Sequence, residues 1–538
     1  MAEMTLENHE RLAENLLAYF RERAPKAELI QTHISSVILA GDYAYKIKKP
    51  VDLQFLDFST LARRKFYCQE ELRLNRRLAP ELYVDVQAIA GTVDRPEPGG
   101  DGPAIDYLVR MRRFRQQNQL DRLLTGGNFP VQRMDELATL IADFHEKAAR
   151  ANVDADAGDP AALWAPVQQN FDQLRELIDD GKQRNRLETL RQWSQRRFRQ
   201  LKATFRARKA AGLIREGHGD MHLRNIALME DRFVIFDGIE FNESFRWIDV
   251  IDDLAFLIMD LRGRGLNAWA NRLLNRYLEI TGDYGGLEVL AFYTVYRALV
   301  RVKVGAIRLA ESRLDARQRQ RVAQELDRDL ALAESLTRPG TTYVAITHGV
   351  SGSGKSTAAL WLVETFGAIR LRSDAERQRL FATARSKEGD SVNSGRYSPK
   401  TTRALYEHLA GLAKRIVELG HGVIVDASFL KQYQRNLLAR VAESLNIPWI
   451  IVDMQCRREI AARRIHRRRA EGTDISEADG RVLDMQLETA EPLDAGERDS
   501  AIDGDCAEAE ARNGVEAAFA GAAGLPPPEG ARYGGRSQ

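Results

Sequence analysis

Cysteine is scarce in this chain of 538 residues, which has only Cys68, Cys456 and Cys506. Three widely spaced cysteines form neither a disulfide framework nor a CxxC metal site, so a reducing compartment is indicated. Long apolar runs are also missing, because no stretch reaches the roughly 18 uncharged residues of a membrane-spanning helix. The acidic and polar start, MAEMTLENHE, excludes a secretory signal peptide. We therefore expect a cytoplasmic protein without a membrane partner.

The chain also lacks an excess of charge of either sign. It has 79 Lys and Arg against 77 Asp and Glu, a net charge of +2. A dedicated nucleic-acid binder needs a net basic footprint, so no nucleic-acid partner is expected. Only 15 of the basic residues are lysine, which makes a lysine within a motif informative. The composition is that of a globular protein, and the length predicts two or more domains.

The sharpest motif is GVSGSGKS at residues 349–356, which matches G-x-x-x-x-G-K-[ST]. The apolar run TYVAIT precedes it and the helix-compatible TAALWLVETF follows it, as a P-loop requires. Backbone N–H groups of such a loop surround phosphate oxygens, its lysine reaches the β- and γ-phosphates, and its serine binds Mg²⁺. The predicted nucleotide-binding residues are Gly349, Ser351, Gly352, Ser353, Gly354, Lys355, Ser356 and Thr357, with Ser356 also a metal ligand. The motif leaves ATP versus GTP open.

Carboxylates at strand ends are candidates to complete this site. Asp426 ends the strand-like GVIVD, where a Walker-B acid meets Mg²⁺, and Asp453 after IIV competes for that role. Asp374 ends IRLRSD and is a candidate catalytic base for an acceptor hydroxyl. The structural alternative for each aspartate is a helix N-cap.

An arginine-rich run, RREIAARRIHRRR, follows further along the chain. Arg463 and Arg467 within it share a helix face at i, i+4 and are candidate phosphate ligands on a lid. A solvated basic face and a nucleic-acid patch are the alternatives.

A second constellation lies in HGDMHLRN, where Asp220 and Asn225 are five residues apart, and Asp237 closes the later strand RFVIFD. In protein-kinase-like enzymes an Asp in this place accepts the acceptor proton, while the Asn and the later Asp bind Mg²⁺. Alternatively, His218, Asp220 and His222 alternate along an extended segment and bind a metal, or the segment is only a turn. We favour the kinase-like interpretation, because it predicts both Asn225 and Asp237.

A phosphate-binding lysine is then required upstream. Lys46 lies in the strand AYKIKKP, and Lys48 points to the same face of that strand. The predicted partner of Lys46 is Glu71 on the next helix, with Glu70 as the alternative. An exposed and weak Glu–Lys pair is the structural alternative.

Two family resemblances follow from these motifs. Residues 341–492 resemble the small P-loop kinases of the zeta-toxin and gluconate-kinase type, on GVSGSGKS, RSDAER, VIVDASFLKQYQR and the arginine-rich run. Residues 25–335 resemble the aminoglycoside phosphotransferases, on HGDMHLRN and FDGIEF, except that no G-x-G-x-x-G loop precedes Lys46. Ser35 and Ser36 are candidates to contact phosphate in its place. The fusion of both halves resembles a bacterial group of two-module proteins.

The predicted fold is an α+β protein-kinase-like (aminoglycoside phosphotransferase-like) N-terminal module followed by an α/β P-loop NTPase module with a parallel sheet. Its predicted parts are an N-lobe at 1–115, a C-lobe at 116–337, a P-loop domain at 341–494 and a disordered tail at 495–538. The resemblances imply a phosphotransferase that uses ATP and Mg²⁺ at two sites on small hydroxylated acceptors. The alternatives are a regulator in which one module senses ATP and controls the other, and a zeta-toxin-like kinase.

Overall fold

The computed structural model describes residues 4–53, 56–127, 129–310, 314–381, 398–471, 480–505 and 511–527. The chain divides into two compact units. The first, here called the kinase-like unit, comprises Met1–Gly263 and Phe292–Ala333. The second, the P-loop unit, comprises Arg264–Ala291 and Glu334–Gln538. Within the described ranges, none of the helices has the length and apolar content to span a membrane.

The kinase-like unit begins with helix α1 and an antiparallel sheet in the order β1-β2-β3-β8-β6-β7. These elements are α1 (Leu6–Arg21), β1 (Glu28–Gln31), β2 (Ser35–Ala40), β3 (Tyr43–Lys48), β6 (Tyr83–Gly91), β7 (Pro96–Pro98) and β8 (Asp106–Arg112), with a short pair β4 (Asp52–Leu53) and β5 (Leu56–Asp57) and helix α2 (Leu61–Asn75) inserted between β3 and β6. Gly41 turns β2 into β3 at a positive φ of 57°, which glycine adopts without strain. Strands β2 and β3 pair antiparallel across this turn and form a hairpin.

Helices α1 and α2 both pack against this sheet. Leu12, Leu16 and Phe20 form the apolar stripe of α1 and pack on strand residues Ile38 and Ile47. The threonine before each helix caps its free backbone N–H groups: Thr5 accepts from Asn8 and Thr60 from Arg63.

The rest of the kinase-like unit is mainly helical. Its elements are α3 (Leu120–Thr125), α4 (Arg133–Lys147), α5 (Pro160–Leu177), α6 (Gly181–Ala210), β9 (Ile214–Glu216), β10 (Ile226–Met229), β11 (Arg232–Ile235), β12 (Trp247–Asp249), α7 (Val250–Gly263), α9 (Leu287–Ala310) and α10 (Ala316–Leu336), of which α9 and α10 extend past its bounds. Strands β10 and β11 form one antiparallel pair, and β9 and β12 another. A small sheet lobe followed by a helical lobe confirms the predicted kinase-like class.

The P-loop unit contains a five-stranded parallel sheet in the order β14-β15-β13-β16-β17. Its elements are β13 (Val344–His348), α11 (Lys355–Phe366), β14 (Ile369–Arg372), α12 (Ser373–Leu380), α13 (Pro399–Glu418), β15 (Val423–Asp426), α14 (Gln432–Leu445), β16 (Trp449–Gln455), α15 (Arg458–Glu471), α16 (Gly480–Thr489), α17 (Ala495–Asp499), β17 (Ala501–Asp505) and α18 (Ala511–Ala523). The central strands are continuous apolar runs because helices bury both faces of such a sheet. The predicted α/β class is confirmed.

A helix from the middle of the chain also belongs to the P-loop unit. Helix α8 (Asn267–Thr281) falls within residues 264–291, which the sequence prediction assigned to the C-lobe. Its Arg272 pairs with Glu364 of α11 at 2.6 Å, and Asn275 accepts a 2.6 Å hydrogen bond from the backbone N–H of Arg370 on β14. The P-loop unit is therefore assembled from two separate stretches of the chain.

The prediction of disorder from residue 495 onward is wrong for the described part of that segment. Strand β17 pairs with β16, and Val515 and Phe519 of α18 are buried in the main hydrophobic core of the unit. The segment is rich in Ala and Gly, which leaves it with few large apolar side chains. Those few, at i and i+4, are enough to bind α18 to the core. The last residues of the predicted tail, 528–538, lie outside the described residues.

We expect Phe519→Ala to destabilise the P-loop unit by about 3–5 kcal/mol, the usual cost of truncating a fully buried phenylalanine. Urea unfolding, monitored through hydrogen exchange of the backbone amides of β16, measures this loss of stability. The matched control is Leu487→Ala on α16, because Leu487 is 43% exposed and surface truncations usually change stability by under about 0.5 kcal/mol. Equal, small losses in both variants would contradict a structural role for residues 511–523.

Candidate active sites

A cleft of about 1320 Å³ lies in the kinase-like unit and is lined by residues of both its lobes. Its lining includes Lys46, Asp220 and Asp237. Lys46 and Asp237 are 191 residues apart in the sequence. His33 in the loop before β2 and Ser35 at the start of β2 also line the cleft, in the place where a glycine loop was missing from the sequence. Ser36 is turned away from the cleft, since its buried hydroxyl bonds to His9 at 2.9 Å.

Lys46 connects three parts of this cleft. From β3, its Nζ contacts Glu71 Oε1 on α2 at 2.8 Å and Asp237 Oδ1 at 2.7 Å. Burial alone would lower the pKa of Lys46, but the charges of Asp237 and Glu71 raise it well above its usual value. The structure thus brings together the predicted lysine, its predicted partner and a predicted metal ligand. Glu70, the alternative partner, instead pairs with Arg73.

A second lysine shares the same carboxylate. Lys48 contacts Glu71 Oε2 at 2.6 Å and also forms an ion pair with Glu240. Burial would raise the pKa of Glu71, but the charges and hydrogen bonds of Lys46 and Lys48 lower it to about 2. The sequence predicted that Lys46 and Lys48 share a face. It carried no signal for Glu240 beyond its place three residues after Asp237.

Asp220 and Asn225 meet as the kinase-like interpretation predicts. The Asn225 amide donates to the backbone oxygen and to Oδ2 of Asp220, both at 3.0 Å. Burial would raise the pKa of Asp220, but His222, 3.4 Å away, lowers it to about 2. Asp220 is consequently ionised at neutral pH and can accept a proton or orient a hydroxyl.

Three aspartates of helix α7 hold the segment that carries Asp220. Asp253 accepts the backbone N–H of His218 at 2.7 Å and of Gly219 at 3.0 Å, and Asp260 accepts that of Leu223 at 3.0 Å. Asp252 forms an ion pair with Arg297, whose guanidinium also donates to Gly219 O at 2.9 Å. Sequence reasoning missed these residues. The available signal was the run WIDVIDDLAFLIMD, in which acidic residues interrupt an otherwise apolar helix.

The oxygen ligands in this cleft fit Mg²⁺ better than a metal held wholly by protein. No cluster of three or more His, Cys, Asp or Glu side chains placed for a metal occurs among the described residues. Magnesium in kinases uses one or two carboxylates together with phosphate oxygens and water. Asp237 supplies one such carboxylate. Asn225 bonds to Asp220 through its NH₂ group, so its amide oxygen is the atom that it would offer to the metal. His218, in the alternative metal-site interpretation, instead points its Nε2 at Phe236 O.

The predicted P-loop follows β13 in the second unit. Gly349, Gly352 and Gly354 have φ of 131°, 81° and 101°, which side chains rarely adopt. A Cβ at Gly349 would lie 2.5 Å from Met454 O, and one at Gly352 would lie 2.5 Å from Ala461 O. The loop therefore requires glycine at these positions, and α11 begins at Lys355 with its N-terminus directed at the loop.

Ser356 and Asp426 meet at the carboxyl edge of the parallel sheet. The Ser356 hydroxyl contacts Asp426 Oδ1 at 3.2 Å, and Arg370 contacts Asp426 Oδ2 at 2.6 Å. Burial would raise the pKa of Asp426, but Arg370 and Arg372 lower it. Asp453, the competing candidate, bonds to His348 at 2.7 Å and to Arg498 at 3.1 Å. The geometry favours Asp426 as the carboxylate beside the P-loop serine.

The other predicted residues of this unit are placed as follows. The Lys355 ammonium donates to Val350 O at 2.6 Å, Ser351 and Ser353 are buried, and Thr357 is exposed. Asp374 is half-buried in the first turn of α12, directly after β14.

The arginine-rich helix and its neighbour contact the loop through residues the sequence prediction did not single out. Arg463 and Arg467 are exposed on α15, whereas Arg464 reaches Gly352 O at 3.4 Å. Gln486 of α16 accepts the backbone N–H of Ser351 at 2.7 Å. The P-loop prediction assigns the Ser351 N–H to phosphate binding. Gln486 of α16 therefore contacts the loop at a group that is predicted to bind phosphate.

We expect Glu71→Gln to lower the free energy of unfolding by about 3 kcal/mol at neutral pH, because it removes the carboxylate shared by two buried lysines. The pKa of Glu71 is about 2 in the folded protein against an ordinary 4.5, so its contribution is complete above pH 5 and declines as the pH falls toward 2. Urea unfolding of both proteins from pH 7 to pH 3 tests this.

The matched control for that experiment is Glu70→Gln on the same helix, since Glu70 pairs with the half-exposed Arg73. Its loss should be under about 1 kcal/mol. A stability difference between wild type and Glu71→Gln that stays constant down to pH 3 would contradict the assignment.

Comparison with solved structures returns partial matches. A sugar kinase from Janibacter sp. is 21% identical, with 35% of this chain and 96% of that chain covered and a TM-score of 0.28. A choline/ethanolamine kinase family protein from Mesorhizobium loti is 13% identical, with 60% of this chain and 99% of that chain covered and a TM-score of 0.34.

Comparison with families and curated proteins identifies the chain more firmly. A family model described as an AAA domain (AAA_33) matches residues 344–493, in agreement with the P-loop module. Uncharacterized proteins from Mycobacterium tuberculosis and Mycobacterium bovis are each 30% identical over 434 residues, which cover 80% of this chain and 84% of each relative. That length exceeds either unit, so the alignment includes parts of both. The chain belongs to the same family as these mycobacterial proteins.

Proposed function

We propose that this protein is an ATP-dependent phosphotransferase with two nucleotide sites, each transferring the γ-phosphate of ATP to a small hydroxylated acceptor with the help of Mg²⁺. The observation that carries the proposal is the contact of Lys46 with both Glu71 and Asp237. It joins a phosphate-binding cation to a metal-binding carboxylate in one cleft. The contact between Ser356 and Asp426 supports an analogous arrangement in the P-loop unit.

In the kinase-like unit, Asp220 faces the acceptor hydroxyl. That hydroxyl gives its proton to the Asp220 carboxylate while its oxygen forms the new bond to the γ-phosphorus. The bond from phosphorus to the β–γ bridging oxygen breaks, and ADP leaves. The low pKa of Asp220 makes it a weak base, which suits a loose transition state in which positioning matters more than early deprotonation. Bound Mg²⁺ supplies charge neutralisation of the phosphates, and Asn225 and Asp237 are the residues that would hold it.

In the P-loop unit, the backbone N–H groups of residues 349–356 and the Lys355 ammonium bind the phosphates. Ser356 and Asp426 would hold the metal. Asp374 is the proposed base for the second acceptor, and Arg463 and Arg467 extend the positive charge that Arg464 brings to the loop. The proposed partners are small molecules, since the near-balanced charge of the chain argues against a polynucleotide.

We expect Asp220→Asn and Lys355→Ala to abolish two different activities. Removal of a positioned acid–base residue such as Asp220 costs about 10²- to 10⁴-fold in rate. Lys355→Ala removes the cation that reaches the β- and γ-phosphates, so each variant should lose one ATP-dependent reaction and keep the other. The measurement is ADP release from Mg²⁺-ATP over a panel of sugars, nucleosides and aminoglycosides. Matched controls are Asp179→Asn and Lys400→Ala, both at exposed positions.

The same pair of variants separates bifunctional catalysis from regulation. If both substitutions suppress one and the same activity, nucleotide-dependent gating of one unit by the other replaces the proposal. If wild-type protein releases no ADP over the whole panel, the phosphotransferase proposal fails.

We expect Asp426→Asn to remove most of the Mg²⁺-dependent part of nucleotide binding by the P-loop unit and to spare the Mg²⁺-independent part. Calorimetric titration of ATP with and without Mg²⁺ measures both parts, once the binding that remains in a Lys355→Ala protein has been subtracted as that of the kinase-like unit. Asp453→Asn is the matched control, because Asp453 is equally buried but bonds to His348 and Arg498. If Asp453→Asn removed the Mg²⁺-dependent part of binding and Asp426→Asn did not, Asp453 would be the Walker-B carboxylate.

A further inference from the structure

Helix α9 forms one wall of the cleft in the kinase-like unit. Tyr296, Val300, Lys303 and Ile307 recur on it at helical spacing, and all four line the cleft. Apart from Lys303 and Arg297, which is paired with Asp252, this wall is aromatic or aliphatic. Val304 and Ile307 are 51% and 44% exposed, so this apolar part of the wall is open to solvent.

Lys303 is the exception in the charge balance of the cleft. It is half-buried, and within the described part of the chain it has neither an ion pair nor a hydrogen bond. Desolvation by burial lowers its pKa. An ammonium group held away from water without a counter-charge costs free energy, so an unpaired cation in a cleft wall is a binding-site signal.

The carboxylates around the proposed base are, in contrast, already matched. Asp237, Glu240 and Asp252 contact Lys46, Lys48 and Arg297, and Asp220 contacts His222, whose pKa this carboxylate raises. The remaining charged lining residues are exposed to solvent, namely Arg112, Arg113, Arg150, Asp156 and Glu243. Among the described lining residues that are at least half-buried, Lys303 is therefore the unmatched charge, and it is positive.

The position of Lys303 along α9 sets a length for the ligand. Arg297 on the same helix donates to Gly219 O, next to Asp220, and so marks the level of the proposed base. Lys303 lies six residues further, which is about 9 Å along the helix axis. Val300 lies between the two levels, so the intervening wall is apolar.

We propose that the acceptor of the kinase-like unit is a small molecule with a hydroxyl group at one end and an anionic group, a carboxylate or a phosphate, about 9 Å away that binds Lys303. This inference rests on the proposed phosphotransferase function, whose substrate class it narrows. A cleft of this kind disfavours polycationic acceptors such as aminoglycosides, because their ammonium groups would meet Lys303.

The test measures binding and phosphorylation separately on the full chain. Ligands are presented as neutral and anionic pairs, pantothenol with pantothenate for the carboxylate and glucose with glucose 6-phosphate for the phosphate, within a wider panel of such pairs, and kanamycin is the polycation. All proteins carry Lys355→Ala to suppress phosphate binding at the P-loop, and thermal shift and calorimetry are run at constant ionic strength.

We expect an anionic member to bind and its neutral counterpart to bind at least about 10-fold more weakly. Lys303→Met should weaken the anion by about 10- to 100-fold, Lys303→Arg should retain most of the affinity, and Lys182→Met at an exposed site should change nothing. The inference is overturned if neutral or cationic ligands bind as well as anions, if Lys303→Met leaves anion binding intact, or if no anion of the panel binds.

Asp220→Asn distinguishes this inference from the proposed function. With that substitution the anion should still bind but should no longer be phosphorylated. Anion binding that depends on Lys303, without ADP release from the Lys355→Ala protein under any condition, would refute phosphotransfer in this cleft and leave the anion site standing.

Discussion

The candidate active cleft of the kinase-like unit depends on one buried carboxylate that two lysines share. Glu71 is fully buried, and a carboxylate in that position is tolerable only because Lys46 and Lys48 contact its two oxygens. Each lysine in turn reaches a different acid in the segment after β11, Asp237 or Glu240. A helix, a strand and a loop are thus held together by charge balance, since Glu71, Lys48 or Glu240 left alone would carry a desolvation penalty of several kcal/mol.

The same balance of buried charge recurs wherever a loop must be held in one conformation. Asp252, Asp253 and Asp260 of α7 satisfy backbone and guanidinium donors of the segment around Asp220. In the P-loop unit, Arg370 holds Asp426 while its own backbone N–H is bonded by Asn275. These acids and arginines touch no reacting atom in the proposed reactions. They keep glycine-containing loops in place so that the groups facing the ligand are oriented beforehand.

Sequence reasoning succeeded where chemistry is encoded locally. The P-loop is contiguous, and the pairing of Lys46 with Glu71 followed from strand alternation and helix periodicity. It failed where the deciding contact joins distant residues, as with Lys48 and Glu240 or the aspartates of α7. For the last described segment, composition indicated disorder, but a helix can be held by two buried residues such as Val515 and Phe519. Composition records how much apolar area a segment has, whereas tertiary packing depends on where that area lies.

Helix α8 lies in sequence between two segments of the kinase-like unit, and this order limits how the chain can be cut into separate fragments. The chain leaves the kinase-like unit at Gly263 and returns to it at Phe292, while residues 264–291 complete the P-loop unit. A cut at any single peptide bond therefore leaves at least one unit incomplete. A P-loop fragment starting after Pro339 would lose Asn275 and Glu279, the partners of Arg370 on the strand beside Asp426. The two units therefore differ from modules joined end to end by a linker, because neither corresponds to one continuous stretch of the chain.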